Sequence, residues 1–321
     1  MSFFLTSAYM IWYYFISCEK GRDKCLKKYI KQIVLFTIAA VFAGVIFFLA
    51  NTDKHKKCEY DIVFLGDSVI GNHAETFSVT SVMEERLGVD VFNGALGGTS
   101  MSFFCEVNWE SVPAAQWSMV KLAQAICTGD WTSQLAGISY SEYYFDVVRQ
   151  VMGYFGERIH HLSQIDFSQV DILLIEHGTN DYNGGQPLDS NEDSFDVTTY
   201  GGALRTTVSL LQEKYPNLRI ILVSPVYCEF LNRGNAKCFE TDFGGGVLDD
   251  YVMMQKTTAE EYDLEWIDLY HNSGIWSDTI DIYTHDKMHL TVEGQQLIGD
   301  YISDYLEENP QKPEQQNRKG N

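Results

Sequence analysis

Five apolar runs recur along the chain: Tyr60–Leu65 (YDIVFL), Val89–Asn93, Val170–Glu176 (VDILLIE), Arg219–Val223 (RIILV) and Leu264–Leu269. Each is short, and the strongest are apolar almost without interruption, as strands buried on both faces are. The segments between them change to a helical period. Leu204, Val208, Leu210, Leu211 and Tyr215 mark one helix, and Leu297, Ile298, Tyr301, Ile302, Tyr305 and Leu306 mark another behind a candidate Thr291 cap. Strands alternating with helices predict a parallel sheet covered on both faces, with ligands gathering beyond the carboxyl ends of its strands.

Residues 101–169 form a long insertion between the second and third strands, with helices predicted at Pro113–Ile126 and Tyr144–His161. It either shapes the substrate cleft or elaborates a helical layer. From Glu307 the chain turns polar and Pro-bearing (EENPQKPEQQNRKG), and residues 307–321 are expected to be a disordered tail. The pattern sets out three regions: 1–57, a globular 58–306 and the tail.

The amino-terminal region has another pattern. Ile33–Ala50 (IVLFTIAAVFAGVIFFLA) is an uncharged run of 18 residues, long enough to span a bilayer as a transmembrane helix. Phe48 and Lys56-Lys57 fit neither a signal-peptide cleavage site nor a lipoprotein context, so the helix is expected to stay as an anchor. Lys20, Arg22, Lys24, Lys27, Lys28 and Lys31 precede it, and only Lys54, Lys56 and Lys57 follow. The positive-inside bias then puts the globular part outside the cytoplasm. Ser2–Ser17 is uncharged and rich in Phe, Tyr and Trp, which suits a second span or an interfacial helix.

Charge sharpens the division. Residues 1–57 carry 9 Lys/Arg against 3 Asp/Glu, whereas 58–321 carry 14 against 41, a net charge of −27. Such a surface repels phosphates and anionic headgroups, so nucleic acid is not an expected partner of the globular part. Seven cysteines occur without a CxxC pair or a Cys/His cluster at ligand spacing, and no metal site is indicated. Cys228 and Cys238 flank a loop and are natural disulfide partners in an oxidising compartment; two free thiols fit equally.

Four motifs carry the candidate chemistry: Gly66-Asp67-Ser68, the Gly-rich loop Asn93–Ser100, Gly178-Thr179-Asn180-Asp181 and Asp286-Lys287-Met288-His289. A serine hydroxyl attacks an ester only if a base takes its proton. His289 is the candidate base, with Asp286 three residues earlier placed by a tight turn to orient the ring. His285 with Asp281 is a rival pair at a poorer spacing. The tetrahedral intermediate needs donors fixed beforehand, which the Ser68 amide, a glycine amide of the second motif and the Asn180 side chain are able to supply. No cofactor is required by this chemistry. Tyr182, Asn183, Gly184 and Gly185 are expected along the cleft, and His73, His160, His161, His177 and His271 are expected to be bystanders.

With these motifs in this order, residues 60–306 resemble the SGNH hydrolase superfamily, also called GDSL esterases and lipases. The resemblance implies a three-layer α/β/α sandwich with a parallel, flavodoxin-like five-stranded sheet, here preceded by the transmembrane helix or helices. It also implies Ser68 as nucleophile, Asp286 and His289 as its partners, and an oxyanion hole of Ser68, Gly98 and Asn180, with Gly97 as the one-residue alternative to Gly98. Val69 stands where the family's usual name has Leu. The implied activity is hydrolysis of a small acyl ester through an acyl-enzyme. The expected substrate is an acylated carbohydrate or another cell-surface molecule, and the alternative is acyl transfer to a polysaccharide hydroxyl.

Overall fold

The computed structural model describes residues 60–71, 77–103, 113–144 and 155–310. All of them belong to the second of two units into which the chain divides, Lys57–Asn321. The expected membrane segments 2–17 and 33–50 lie outside the described residues. Among the described residues no helix is long and apolar enough to cross a membrane.

The elements run β1 (Ile62–Gly66), α1 (Ser68–Gly71), α2 (Val79–Leu87), β2 (Val91–Asn93), α3 (Pro113–Gln116), α4 (Met119–Thr128), α5 (Thr132–Tyr144) and α6 (Phe155–Leu162). They continue with β3 (Ile172–Glu176), α7 (Thr179–Gly184), α8 (Tyr200–Lys214), β4 (Arg219–Val223), β5 (Glu229–Phe230) and β6 (Ala236–Lys237). The last are α9 (Leu248–Glu261), β7 (Glu265–Ile267), α10 (Leu269–Asn272), α11 (Ile280–Tyr283) and α12 (Val292–Glu308).

Five strands form one sheet in the order β2-β1-β3-β4-β7, every neighbouring pair parallel. This is the flavodoxin-like order, in which the direction of winding reverses between β1 and β3. All five apolar runs became these strands: β4 keeps both ends, β1 gains Gly66, and no other end moves inward by more than two residues. Ile62 to Gly66 are buried throughout, as the unbroken apolar run requires. Parallel neighbours need crossover connections, and α8, in one of them, contacts both α4 and α9. The carboxyl-terminal α12 packs on α2, and α8 packs on α4. Gly299 permits the first of these contacts, because a Cβ there would lie 2.6 Å from Val82 Cβ. Thr291 caps α12 as expected, accepting from the Gly294 amide at 3.1 Å.

The insertion departs from its pattern. The helix expected at 113–126 is broken into α3 and α4 where Ser118 turns extended, ψ 148°, and beside the break the Trp117 indole is 2% exposed and donates to the Gln134 carbonyl at 3.0 Å. Met119, Val120, Leu122, Ala123 and Ile126 join the main core, so α4 is a structural layer. The helix expected at 144–161 is described only as α6, since 145–154 lie outside the described residues. A helix at 132–144 was not anticipated.

At the carboxyl end α12 runs through Leu306 and Glu307 to Glu308, so the tail does not begin at 307. Leu306 is buried, and Glu307 accepts from Arg86 Nη2 at 3.1 Å. Residues 311–321 lie outside the described residues. Cys228 and Cys238 are free thiols on directly opposed residues of the β5–β6 hairpin, the Cys228 amide donating to Cys238 Sγ at 3.4 Å.

Candidate active site

Ser68 opens α1 immediately beyond the carboxyl end of β1, and His289 reaches it from the turn before α12. His289 Nε2 lies 3.0 Å from Ser68 Oγ, and His289 Nδ1 lies 2.7 Å from Asp286 Oδ2. A carboxylate at Nδ1 favours the tautomer with its proton there, leaving Nε2 to accept from the serine hydroxyl. The other Asp286 oxygen accepts from the His289 amide at 2.8 Å and the Met288 amide at 3.2 Å. Partial burial pushes the Asp286 carboxyl up, but these three donors and the His289 charge outweigh it and leave the group at about 2. It is therefore an anion at every pH at which the imidazole works.

Lys287 completes the turn in a left-handed conformation, φ 68°. Strain of this kind persists only where neighbours over-determine it. Here the Lys287 carbonyl accepts from the Glu229 amide of β5 at 2.9 Å, and its ammonium pairs with Asp281 at 2.5 Å. The same region carries the rival pair from the sequence, His285 and Asp281. Asp281 is turned to Lys287, while His285 is exposed and the Ser68 hydroxyl faces His289.

The second and third motifs meet beside the serine. Asn180, in the first turn of α7, donates from Nδ2 to the Thr99 carbonyl at 2.9 Å and to Asp67 Oδ2 at 3.3 Å. Gly98 is exposed in a left-handed conformation, φ 77°, with no atom within 4 Å of where a Cβ would stand. Backbone conformation, not space, is what asks for glycine there. Gly97 is half-buried and lacks the positive φ. Among the described residues neither the Ser68 nor the Gly98 amide donates to a protein acceptor, so both donors are free to serve a ligand. Asp181 fastens the loop, accepting from the Met101 amide at 2.8 Å, the Ser102 amide at 2.9 Å and the Ser102 hydroxyl at 2.5 Å.

Beneath these groups lies a polar layer with no exposure to solvent. Asp67 accepts from the Val69 amide at 2.9 Å, and its own amide donates to Glu176 Oε2 at 3.4 Å. Burial pushes Asp67, Glu176 and Asp181 all upward, and the neighbouring Asp67 charge raises Glu176 further. His177, also fully buried, has Nε2 3.2 Å from Thr99 Oγ1, and burial lowers it to about 3, so it is a neutral ring. Sequence reasoning gave Glu176 no role and ranked His177 among the bystanders. The available signal was a carboxylate ending an otherwise apolar strand, a place where a charge is costly without a purpose.

Tyr182 was expected along the cleft and is instead core. It is fully buried against Phe230, Phe243 and Tyr251, and its hydroxyl donates to the Thr241 carbonyl at 2.8 Å. His160 and His161 are exposed, His271 is paired with Asp268, and His73 lies outside the described residues. Among the described residues no group of His, Cys, Asp and Glu is placed to hold a metal ion.

No curated protein matches the chain. Among solved structures, a protein from Lactobacillus plantarum superposes with a TM-score of 0.56 at 19% identity, covering 79% of this chain and 99% of that one. A "possible lipase" from Chitinophaga pinensis DSM 2588 superposes with a TM-score of 0.51 at 15% identity, covering 78% and 98%. Identities this low speak for a shared fold. The model of the GDSL-like lipase/acylhydrolase family matches residues 64–297, a span that contains Ser68, Gly98, Asn180, Asp286 and His289. On that match, which takes in most of the polypeptide, the chain belongs to the GDSL-like lipase/acylhydrolase family.

Proposed function

We propose that this protein is a serine esterase that hydrolyses a small acyl ester through an acyl-enzyme, with Ser68 as nucleophile, His289 as base and Asp286 as its orienting carboxylate. The observation that carries this reading is the unbroken chain Ser68 Oγ, His289 Nε2, His289 Nδ1, Asp286 Oδ2, with contacts of 3.0 and 2.7 Å between residues from opposite ends of the domain. His289 takes the Ser68 proton as Oγ bonds to the acyl carbon. The ring then returns that proton to the leaving alcohol and activates the water that releases the acid. The Ser68 and Gly98 amides and Asn180 Nδ2 receive the oxyanion. The reading extends to an acylated carbohydrate or other cell-surface molecule as substrate, which suits a strongly acidic domain that repels anionic polymers.

The membrane reading is part of the same proposal. Ile33–Ala50 anchors the chain, with the basic residues 20–31 cytoplasmic and the catalytic domain outside, as the charge bias favours. Two experiments test the proposal. Ser68→Ala should abolish turnover of short-chain p-nitrophenyl esters, and unchanged turnover would remove Ser68 from its role. The full chain in membrane vesicles of known sidedness should resist carbonate extraction and expose its domain to protease only from the extracytoplasmic side. Release by carbonate would end the anchor.

A further inference from the structure

The triad explains Ser68, His289 and Asp286, but leaves a fully buried carboxyl pair directly under the nucleophile. Gly66 and Glu176 are paired residues of β1 and β3, which sets the Glu176 side chain against the turn that carries Ser68. Glu176 Oε2 accepts from the Asp67 amide at 3.4 Å and would lie 3.2 Å from a Cβ on Gly66. Asp67 and Glu176, 0% and 1% exposed, meet at that amide, and the Asp67 charge pushes the Glu176 carboxyl up. Two like charges this close and away from water do not both persist, so the pair holds one proton.

The partners indicate where the proton sits. Asp67 accepts at both oxygens, from the Val69 amide at 2.9 Å and from Asn180 Nδ2 at 3.3 Å, as the ionised form does best. Glu176 Oε1 has no partner and is sealed from solvent, a position that suits a neutral acid. Among the described residues no Lys or Arg pairs with Asp67, Glu176 or Asp181. The other titratable groups that feel this pair are His289, Asp181, Tyr200 and Cys228.

We propose that Glu176 is a positioning residue that holds a proton and donates it to Asp67, keeping the pair at one negative charge and locking the nucleophile turn to the Asn180 amide. The inference rests on the esterase reading and deepens it. In the free enzyme both Asn180 N–H groups are engaged, the shorter bond with Thr99 and the longer with Asp67. A developing oxyanion takes the hydrogen now resting on Asp67. A second negative charge at Glu176 would tighten the Asn180–Asp67 bond and repel the oxyanion, opposing the step the amide serves.

The test compares the full chain with Glu176→Gln, which keeps a donor without an ionisable proton, and Glu176→Leu, which keeps bulk alone. Glu176→Gln should hold kcat on a p-nitrophenyl ester within about threefold, while Glu176→Leu loses more than about tenfold in kcat with KM little changed. The infrared difference between the parent and Glu176→Gln at neutral pH should show the loss of a protonated-carboxyl C=O band. A carboxylate band lost in its place, or Glu176→Gln as impaired as Glu176→Leu, would overturn the proposal. If Glu176→Leu does not fold, the infrared spectrum of Glu176→Gln still decides. A parent inactive on every ester would sink the esterase reading, and the infrared result would stand apart from it.

Discussion

The carboxyl ends of β1 and β3 handle polar groups in the opposite way from the contact between α2 and α12. Where α2 meets α12, burial is apolar through Val79, Met83, Ile298 and Ile302, and charge stays at the rim, where Arg86 bridges Asp300, Asp304 and Glu307. At the carboxyl ends of the strands, Asp67, Glu176 and Asp181 are all buried with no Lys or Arg paired to them among the described residues, and Lys287 is held at a positive φ. The first region follows the rule that charges stay wet; the second breaks it repeatedly within a few ångströms of one hydroxyl. Departures from local consistency that concentrate in this way mark the place where stability has been exchanged for chemistry.

That contrast can be broken by substitutions that separate rate from stability. The largest effect is expected for Asp286→Ala, which should lower kcat by roughly 10³–10⁴-fold because the imidazole loses its orientation, while the melting temperature stays near the parent's. Activity within a few-fold of the parent would exclude Asp286. Ile298→Ala, in the apolar layer, should do the reverse: a loss of about 2–5 kcal/mol in chemical denaturation with kcat on the same ester unchanged. A rate defect there would mean that the two regions are coupled.

The third and smallest effect concerns pH. His177 is buried at about 3, below its unfolded value, so below pH 6.5 the unfolded chain takes up a proton that the folded chain refuses. Stability from this group is complete above pH 6.5 and falls as pH drops toward 3. The raised Asp67 and Glu176 carboxyls act in the opposite sense, favouring the folded state as pH falls. His177→Gln should therefore flatten the acid limb of a stability–pH curve relative to the parent, and an unchanged limb would show that the ring is not buried neutral.

Much of this molecule was legible beforehand. The five strands were, because a strand buried on both faces leaves no room for polar alternation, and β4 was read to the residue. Ser68, Asn180, Asp286 and His289 were placed at the site because their chemistry needs short, ordered motifs. The break beside Trp117 was not, since nothing in a helical period announces that Ser118 will turn extended or that one indole will be drawn into the core. The same reason explains Tyr182: a residue after a functional motif reads as cleft lining until its neighbours Phe230, Phe243 and Tyr251 enclose it.

By itself the amino-acid order determined what lies close along the chain: strand period, the Thr291 cap and the Asp286–His289 turn. Only the tertiary structure decided what meets across distance: which histidine faces Ser68, and that Asp67 and Glu176 share one dry space. Local conformation follows from nearest neighbours, whereas a protonation state follows from what surrounds a group in three dimensions.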